Sequence, residues 1–212
     1  LASGVESNQI FLLPNGVEIP EHTAQPGKVR EQVLYVGNFS QGSHWKAFDV
    51  LLTAWSQVHR RLPQAVLIMV GGGNNSPWKR LAEEYGCCES IVFQGAVPTV
   101  SPFYQQAVLF VLPSRVEGLS NALLEAQSYG LPCVVSDIPG NRAVIEDGRN
   151  GLVVPVGDAA SLAQAIIALL MNHELRIRMG ASARSRIIAD FSMESVVPKL
   201  MQIYAQLVEL GS

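Results

Sequence analysis

Glu117 and Glu125 are two carboxylates separated by seven residues in the segment EGLSNALLEA. Ser120 is a good N-cap residue, and the apolar run after it predicts a short helix over 121–129 that stops before Gly130. Glu117 would then lie in the loop before this helix, and Glu125 one turn into it. Two carboxylates placed in this way can accept hydrogen bonds from the hydroxyl groups of a ligand.

The helix that carries Glu125 should be mostly buried. The segments on either side of it, VLFVLPS and LPCVVS, are typical of strands in a parallel sheet that is covered on both faces. An unpaired buried carboxylate is costly, and the alanines and leucines next to Glu125 offer no cation. Hydroxyl groups of a bound ligand are therefore candidate partners; the alternative is a solvated glutamate on an exposed helix face.

The start of the same helix is suited to an anion. The backbone amides of Leu119, Ser120 and Asn121 would carry partial positive charge and unpaired N–H groups, which fits a diphosphate. Gly118 would let the backbone approach such a ligand closely. Lys46 falls at the predicted start of another helix, which is unfavourable for a cation unless an anion binds nearby; the alternative is an ordinary surface lysine.

Composition and charge narrow the class of protein. The 212 residues are 48% hydrophobic and 16% charged, which suffices for a full globular core. A net charge of -3 without a basic stripe argues against nucleic acid as a partner. Three cysteines, two of them adjacent, are a poor disulfide framework, and we expect a soluble protein of a reducing, cytoplasmic compartment. The sequence begins at Leu1 without an initiator Met, so we expect a piece of a longer protein.

Strand-like and helix-like runs alternate along the chain. This rhythm predicts an α/β fold with a doubly wound, Rossmann-like parallel sheet and helices on both faces. The predicted strands cover 33–37, 66–71, 90–95, 108–113, 132–136 and 151–156, and the predicted helices between them cover 45–61, 78–85, 102–106 and 121–129. From Asp158 onward the pattern predicts a helical C-terminal tail, whose last helix carries an apolar stripe and is kinked or delayed by Pro198. We divide the chain into a lead-in linker over 1–30 and one domain over 31–212.

The loops that follow the strands should line one cleft, because a doubly wound sheet binds its ligands beyond the carboxyl ends of its strands. These loops contain Gly37, Gly71–Gly73, Gly95, Ser114–Ser120 and Asp137–Gly140. Their glycine and serine content suits a close approach of backbone to ligand.

Five segments together carry a resemblance to a known family. They are PNGV (14–17), VGNFSQGSHWKAFDVLLTAW (36–55), VGGG (70–73), VFQGAV (92–97) and the long run from LPSRVEGLSNALLEA to EDGRNGLVV (112–154). Together they resemble the C-terminal, donor-binding half of a group 1 retaining glycosyltransferase of the two-Rossmann-domain (GT-B) type. The resemblance runs from about residue 13 to the end of the chain, and it implies that an N-terminal acceptor domain is absent here.

The resemblance assigns roles to several residues. In this family the second glutamate typically binds the ribose of the nucleotide and the first contacts the sugar, roles that fall to Glu125 and Glu117. A basic pair, an arginine after the first strand and a lysine at the head of the next helix, stabilises the charge that develops on the leaving phosphate. Lys46 matches this lysine. The resemblance therefore implies that Lys46 and Glu117 are the catalytic residues. Asn38 stands where the arginine is expected, and Ala47 stands where a glycine commonly follows the lysine.

Other residues are candidates on weaker grounds. Arg115, or a residue of the absent domain, could replace the missing arginine, whose loss would cost about a hundredfold or more in rate. Gln94 and Val97 match family positions that offer backbone atoms to a nucleobase, although a turn at Gly95 explains them equally well. His44 lies in the loop beside the expected phosphate site, where an ordinary loop histidine is the alternative.

Two kinds of cofactor site are not favoured by the sequence. Gly71–Gly73 follow a strand, but the GxGxxG register fails at Ser76 and no acidic residue stands about 20 positions further on, as a nicotinamide site requires. The four histidines are scattered, which argues against a metal cluster or a Ser/His/Asp triad. The resembling family likewise needs no divalent metal, so we expect neither cofactor nor metal.

These observations predict the donor-binding half of a glycosyltransferase. It would move a sugar from a nucleoside diphosphate sugar, with retention, to a glycan, a lipid or another acceptor held by the absent domain, in the cytoplasm or peripherally on the cytoplasmic membrane face. The chain alone would bind nucleotide with hardly any turnover. Alternatives are a nucleotide-sugar-binding module without transfer, or another enzyme of this architecture such as a sugar nucleotide epimerase or a phosphorylase.

Overall fold

The computed structural model describes residues 10–25, 31–39 and 43–210, which contain one parallel sheet. Its strands are β1 (Gln32–Val36), β2 (Val66–Val70), β3 (Ile91–Gly95), β4 (Leu109–Leu112), β5 (Cys133–Ser136) and β6 (Gly151–Val154). They are ordered β3-β2-β1-β4-β5-β6, and every neighbouring pair is parallel. The predicted doubly wound α/β fold is confirmed.

The burial of the strands follows their position in the sheet. All residues of β2, β4 and β5 are buried, including Cys133, as expected for inner strands covered by helices on both faces. In the edge strand β3, exposed positions instead alternate with buried or half-buried ones, and Val92 is 43% exposed. The order of the strands reverses between β1 and β4, so the crevice at which such sheets bind ligands lies above these two strands.

Eight α-helices lie in the described part of the chain. They are α1 (Phe48–Arg61), α2 (Ser76–Glu84), α3 (Ser101–Gln106), α4 (Asn121–Ser128), α5 (Pro139–Arg142), α6 (Ala159–Met171), α7 (His173–Asp190) and α8 (Met193–Leu210). α1 packs against α2 and α6, and α4 packs against α7. The four-residue α5 was not predicted from the sequence.

The start of α1 differs from the prediction. The sequence placed this helix from about residue 45, but Ser43–Lys46 form a separate 3₁₀ turn and α1 begins at Phe48. Ala47 between them has φ 55°, a left-handed backbone that interrupts the helical dihedral angles. Lys46 therefore lies just before α1 and not in its first turn. Ala47 also occupies the conformation that glycine adopts most easily, at the position where the resembling family commonly has glycine.

The predicted helical tail is present as α6, α7 and α8. Pro198 does not delay the last helix, which begins at Met193 and contains the proline. The apolar stripe predicted for α8 is largely exposed: Val197 is 42%, Met201 60% and Tyr204 55% accessible. Within the described residues, none of the helices is both long enough and apolar enough to cross a lipid bilayer.

Candidate functional site

Lys46 and Glu117 meet at the carboxyl end of the sheet, where the strand order reverses. The Lys46 Nζ lies 2.6 Å from the Glu117 Oε1, although the two residues are 71 positions apart in the chain. The Ser114 hydroxyl, directly after β4, donates a hydrogen bond to the same oxygen at 2.9 Å. Both charged side chains are mostly buried, with 22% and 15% of their surfaces accessible. The structure thus joins two residues that the sequence had singled out separately.

This ion pair gives Lys46 an anionic partner within the protein. The sequence suggested that an anion bound nearby would offset the cation, and here the anion is the carboxylate of Glu117. An ion pair that is buried to this extent is stabilised by the attraction between its charges and by a hydrogen bond of good geometry. A diphosphate that entered the crevice would compete with Glu117 for the ammonium group and would free the carboxylate for another partner.

The N-terminus of α4 faces the same crevice. Ser120 is the N-cap, as predicted, and its Oγ accepts a hydrogen bond from the Leu123 amide at 3.4 Å. No described residue accepts a hydrogen bond from the backbone N–H of Leu119, Ser120 or Asn121. These donors and the positive end of the helix dipole form a place that is suited to an anion.

The lead-in segment is attached to this helix start. The Asn15 side-chain amide donates a 2.9 Å hydrogen bond to the Asn121 Oδ1, and its distance to the Leu119 carbonyl oxygen is 3.4 Å. Val17 forms an isolated parallel bridge with Ser192, which precedes α8. The sequence treated this segment as a linker, and only its PNGV pattern could have indicated that it lies beside the site.

A close backbone contact fixes the loop that carries Glu117. A Cβ atom added to Gly140 would lie 2.0 Å from the Gly118 carbonyl oxygen and 2.6 Å from that of Glu117. Only a residue without a side chain allows α5 to pack this closely on the loop. The sequence placed both segments at the cleft, but it gave no sign of their contact.

Glu125 lies at a cavity that is not lined by Glu117. It is half-buried at the wall of a cavity of about 500 Å³, which the lead-in segment, the start of α3 and α4 enclose together. The Tyr104 hydroxyl donates a 2.9 Å hydrogen bond to the Glu125 Oε2. The neighbours of Glu125 along the chain give no sign of Tyr104, which comes from another element.

The loop after β1 comes close to the loop after β2. A Cβ atom added to Gly37 would lie 2.4 Å from the buried Tyr35 hydroxyl oxygen, and one added to Gly71 would lie 2.0 Å from the Gly37 carbonyl oxygen. The Tyr35 hydroxyl has no hydrogen-bond partner in the described structure. Burial, and then the charge of Glu117, raise the pKa of Tyr35 far above its ordinary value. Asn38 is exposed beside Gly72, at the mouth of the crevice.

The sequence model described as "Glycosyl transferases group 1" matches residues 30–172. The chain belongs to the group 1 glycosyltransferases. This finding confirms the family to which the motifs pointed, on a match that includes the crevice and all the strands.

Relatives of this glycosyltransferase chain cover nearly all of it. It is 30% identical over 208 residues to the phosphatidyl-myo-inositol mannosyltransferase of Mycobacterium leprae, a match that covers 94% of this chain and 54% of that protein. It is 26% identical over 217 residues to the UDP-Gal:alpha-D-GlcNAc-diphosphoundecaprenol alpha-1,3-galactosyltransferase of Escherichia coli, covering 96% and 56%. The chain thus spans about half the length of these relatives.

The fold is shared with solved structures of longer chains. The structure of S. aureus TarM in complex with Fondaparinux, alpha-GlcNAc-glycerol and UDP matches with a TM-score of 0.84 and 24% identity, over 96% of this chain and 40% of that one. At this identity the match shows the fold alone.

Arg115, the candidate substitute for the arginine expected by family resemblance, is bound to Asp49 in this structure. Its guanidinium holds both carboxylate oxygens of Asp49, at 3.0 and 2.7 Å, and it donates to the His44 carbonyl at 2.6 Å. The hydrogen bond from Arg115 lowers the pKa of Asp49, and the same bond raises the pKa of Arg115. Arg115 therefore connects the loop after β4 with the start of α1. The His44 side chain is exposed, and its ring makes an edge contact with that of Trp45.

The nucleobase candidates lie at the edge of the sheet. Gln94 lies within β3, as the predicted strand over 90–95 implies, and its side chain is exposed. Val97 is half-buried against the core. The described His, Cys, Asp and Glu side chains include no group of three placed to hold a metal ion.

Proposed function

We propose that this chain is the donor-binding part of a glycosyltransferase that transfers a sugar from a nucleoside diphosphate sugar. The observation that carries the proposal is the junction of Lys46, Glu117 and the open N-terminus of α4 at the point where the strand order reverses. A cation and unpaired backbone amides at one place are what a diphosphate requires. Glu125 stands one turn further along α4, beside a cavity that could accept a nucleoside.

In this proposal the diphosphate is bound by the backbone amides at the start of α4 and by Lys46. Lys46 leaves Glu117 for the phosphate and neutralises the charge that develops there as the bond to the sugar breaks. Glu117, released from its ion pair, accepts hydrogen bonds from the sugar, and Glu125 accepts them from the ribose. We assign retention of configuration, and chemistry without a divalent metal, on the basis of the family resemblance.

The acceptor would be bound mainly by parts of the protein outside this chain. Supporting this, the relatives named above are about twice as long, and their names describe lipid-linked acceptors. The names also differ in the sugar transferred, which leaves several donors open. We place the protein in the cytoplasm or peripherally at its membrane face.

The direct test is calorimetric titration of the chain with UDP, GDP and ADP. We expect one of them to bind, and Glu125→Ala to weaken this binding strongly. Lys199→Ala, which removes an exposed cation on α8, is the control and should bind as the unchanged chain does. If none of the three nucleotides binds, the proposal is wrong for this chain.

One observation favours a second candidate, a nucleotide-sugar-binding module without transfer. Asn38 replaces the expected arginine, and Arg115 is held by Asp49. In the full-length protein, Asn38→Arg should raise the transfer rate of a weakened enzyme about a hundredfold, the usual effect of restoring one electrostatic donor. Absence of transfer in both forms, with nucleotide binding intact, would instead favour the module.

A further inference from the structure

Tyr104 is a buried residue of α3 whose only polar group reaches Glu125. The side chain is 1% exposed, and its hydroxyl lies 2.9 Å from the Glu125 Oε2 and 3.3 Å from the Ala122 carbonyl oxygen. A tyrosine hydroxyl has one proton to donate. The carboxylate is the closer acceptor and also the charged one, and hydrogen bonds to ionised groups are the stronger. The proton therefore points at Glu125.

The tyrosine ring is held in place from two sides. It stacks on Tyr129, with ring centres 5.3 Å apart, and it packs against Phe110 of β4 at 6.3 Å. Tyr129 is in turn fixed by a 2.5 Å hydrogen bond between its hydroxyl and that of Ser101. The position of the Tyr104 hydroxyl is therefore set by the core and not by the ligand.

The hydroxyl also remains a donor at every physiological pH. Burial, and then the negative charge of Glu125, raise the pKa of Tyr104 well above its ordinary value. The ionised form of Tyr104 is thus excluded, and the hydroxyl can only donate to the carboxylate.

The two oxygens of Glu125 have different environments. Oε2 accepts the Tyr104 hydrogen bond, whereas no described residue donates to Oε1. The carboxylate lies at the wall of the cavity of about 500 Å³, which the lead-in segment closes from the other side. One oxygen is thus occupied by the protein, and the other is open to a ligand.

We propose that Tyr104 is a positioning residue that fixes Glu125 so that its open oxygen meets the hydroxyl pair of a ribose. This rests on the proposed function, in which Glu125 binds the nucleoside. An acidic side chain that accepts from ribose hydroxyls is a common means of holding a nucleotide. A free glutamate has several rotatable bonds, and ordering them on binding costs affinity. Tyr104 orders the carboxylate before the ligand arrives, so its contribution appears in binding and not in the chemical step.

The test compares the affinities of two nucleotides for one variant of the chain. Tyr104→Phe removes the hydroxyl and keeps the ring, its stacking and its burial. We expect it to weaken binding of the preferred nucleoside diphosphate about tenfold, the usual effect of losing one hydrogen bond to a charged group. The 2′,3′-dideoxy form of the same nucleotide lacks the hydroxyl pair, and its affinity should be unchanged by Tyr104→Phe. In the full-length enzyme, KM for the donor should rise while kcat stays the same.

Two further variants separate positioning from a structural role. In a Glu125→Ala background, Tyr104→Phe should have no additional effect on affinity, because the residue through which it acts is gone. Tyr85→Phe at the end of α2, a partly exposed tyrosine outside the crevice, is the control and should bind both nucleotides normally.

Each possible result of these binding measurements either supports or overturns the role proposed for Tyr104. Equal weakening of the ribose and dideoxy ligands, or an effect that persists in the Glu125→Ala background, would show that Tyr104 only supports the fold and would overturn the inference. Unchanged affinity for the ribose ligand would overturn it as well. If the parent chain binds no nucleotide, the proposed function itself is wrong; if it binds and only the Tyr104 result is negative, the inference alone is.

Discussion

In the proposed function, Lys46 has two partners in turn, Glu117 and a diphosphate. In the structure its ammonium group is bound to Glu117, and the open amides at the start of α4 lie in the same crevice. The ion pair prevents two partly buried charges from being left alone in the absence of ligand. A diphosphate provides a stronger, doubly charged partner, and the exchange would couple binding of the phosphates to release of Glu117.

Lys46→Ala should therefore weaken binding in a way that depends on the phosphates. A charge-assisted hydrogen bond contributes about 1.5–3 kcal/mol, so affinity for a nucleoside diphosphate should fall roughly 10- to 150-fold. Affinity for the same nucleoside without phosphates should not change. Calorimetry with the two ligands measures the difference.

Lys46→Arg, which keeps the charge, should retain most of the diphosphate affinity. Equal losses for nucleoside and nucleoside diphosphate in Lys46→Ala would contradict a phosphate-binding role, because they would indicate a general disturbance of the crevice.

At the scale of elements, the shape of the crevice depends on direct backbone contacts between its loops at glycine positions. α5 approaches the loop of Glu117 and Gly118 at Gly140, and the loop after β2 approaches the one after β1 at Gly71. Backbone contacts of this kind set the distance between the loops more tightly than flexible side chains could. Through Gly140 the short helix α5 packs directly on the loop that carries Glu117.

Gly140→Ala should disrupt this arrangement. A Cβ 2.0 Å from the Gly118 carbonyl oxygen forces the loop or α5 to move, which should cost about 1–3 kcal/mol of stability and abolish nucleotide binding. Thermal melting and calorimetric titration measure the two effects. Gly72→Ala is the matched control, since its Cβ would make only an ordinary 3.5 Å contact with Ala96. If Gly140→Ala is as stable as Gly72→Ala, the proposed packing constraint does not exist.

The Asp49–Arg115 pair, which joins α1 to the loop after β4, should make stability depend on acid. Arg115 lowers the pKa of Asp49 in the folded chain, so the pair contributes stability above the pKa of an unfolded aspartate, about 3.9. That contribution is lost as the pH falls through the lower, folded-state pKa. Asp49→Asn should therefore be less stable than the parent chain at pH 7, and the difference should vanish at strongly acidic pH. Unfolding by urea at a series of pH values measures it; a difference that is independent of pH would contradict the ion pair as its cause.

At the scale of the whole molecule, the proposed nucleotide site draws on several elements that are far apart in the chain. The lead-in segment reaches it through Asn15, β1 and β4 define its floor, and α3 and α4 provide Tyr104 and Glu125. Because these elements come together only in the folded chain, a ligand that contacts them should bind the folded and not the unfolded state. Its binding should therefore stabilise the entire domain.

The preferred nucleotide should raise the melting temperature of the chain. At a concentration 100 times its dissociation constant, it adds about 2.7 kcal/mol, which corresponds to roughly 5–10 °C for a domain of this size. Glu125→Ala should lose most of this increase at the same concentration, whereas Lys199→Ala should keep it. Equal increases with UDP, GDP and ADP would contradict a selective nucleoside site.

Local patterns in the sequence determined the elements and much of the chemistry. Alternating strand and helix runs predicted the doubly wound sheet, and Ser120 followed by an apolar run predicted the start of α4, because caps and periodicity act over a few residues. The motif around Glu117 and Glu125 likewise indicated the family. Only the tertiary structure decided which side chains meet: Lys46 with Glu117, Tyr104 with Glu125, Arg115 with Asp49 and Gly140 with Gly118. These contacts depend on strand order and on how the loops pack at one edge of the sheet, and residues that are far apart in the chain carry no local signal of such a meeting.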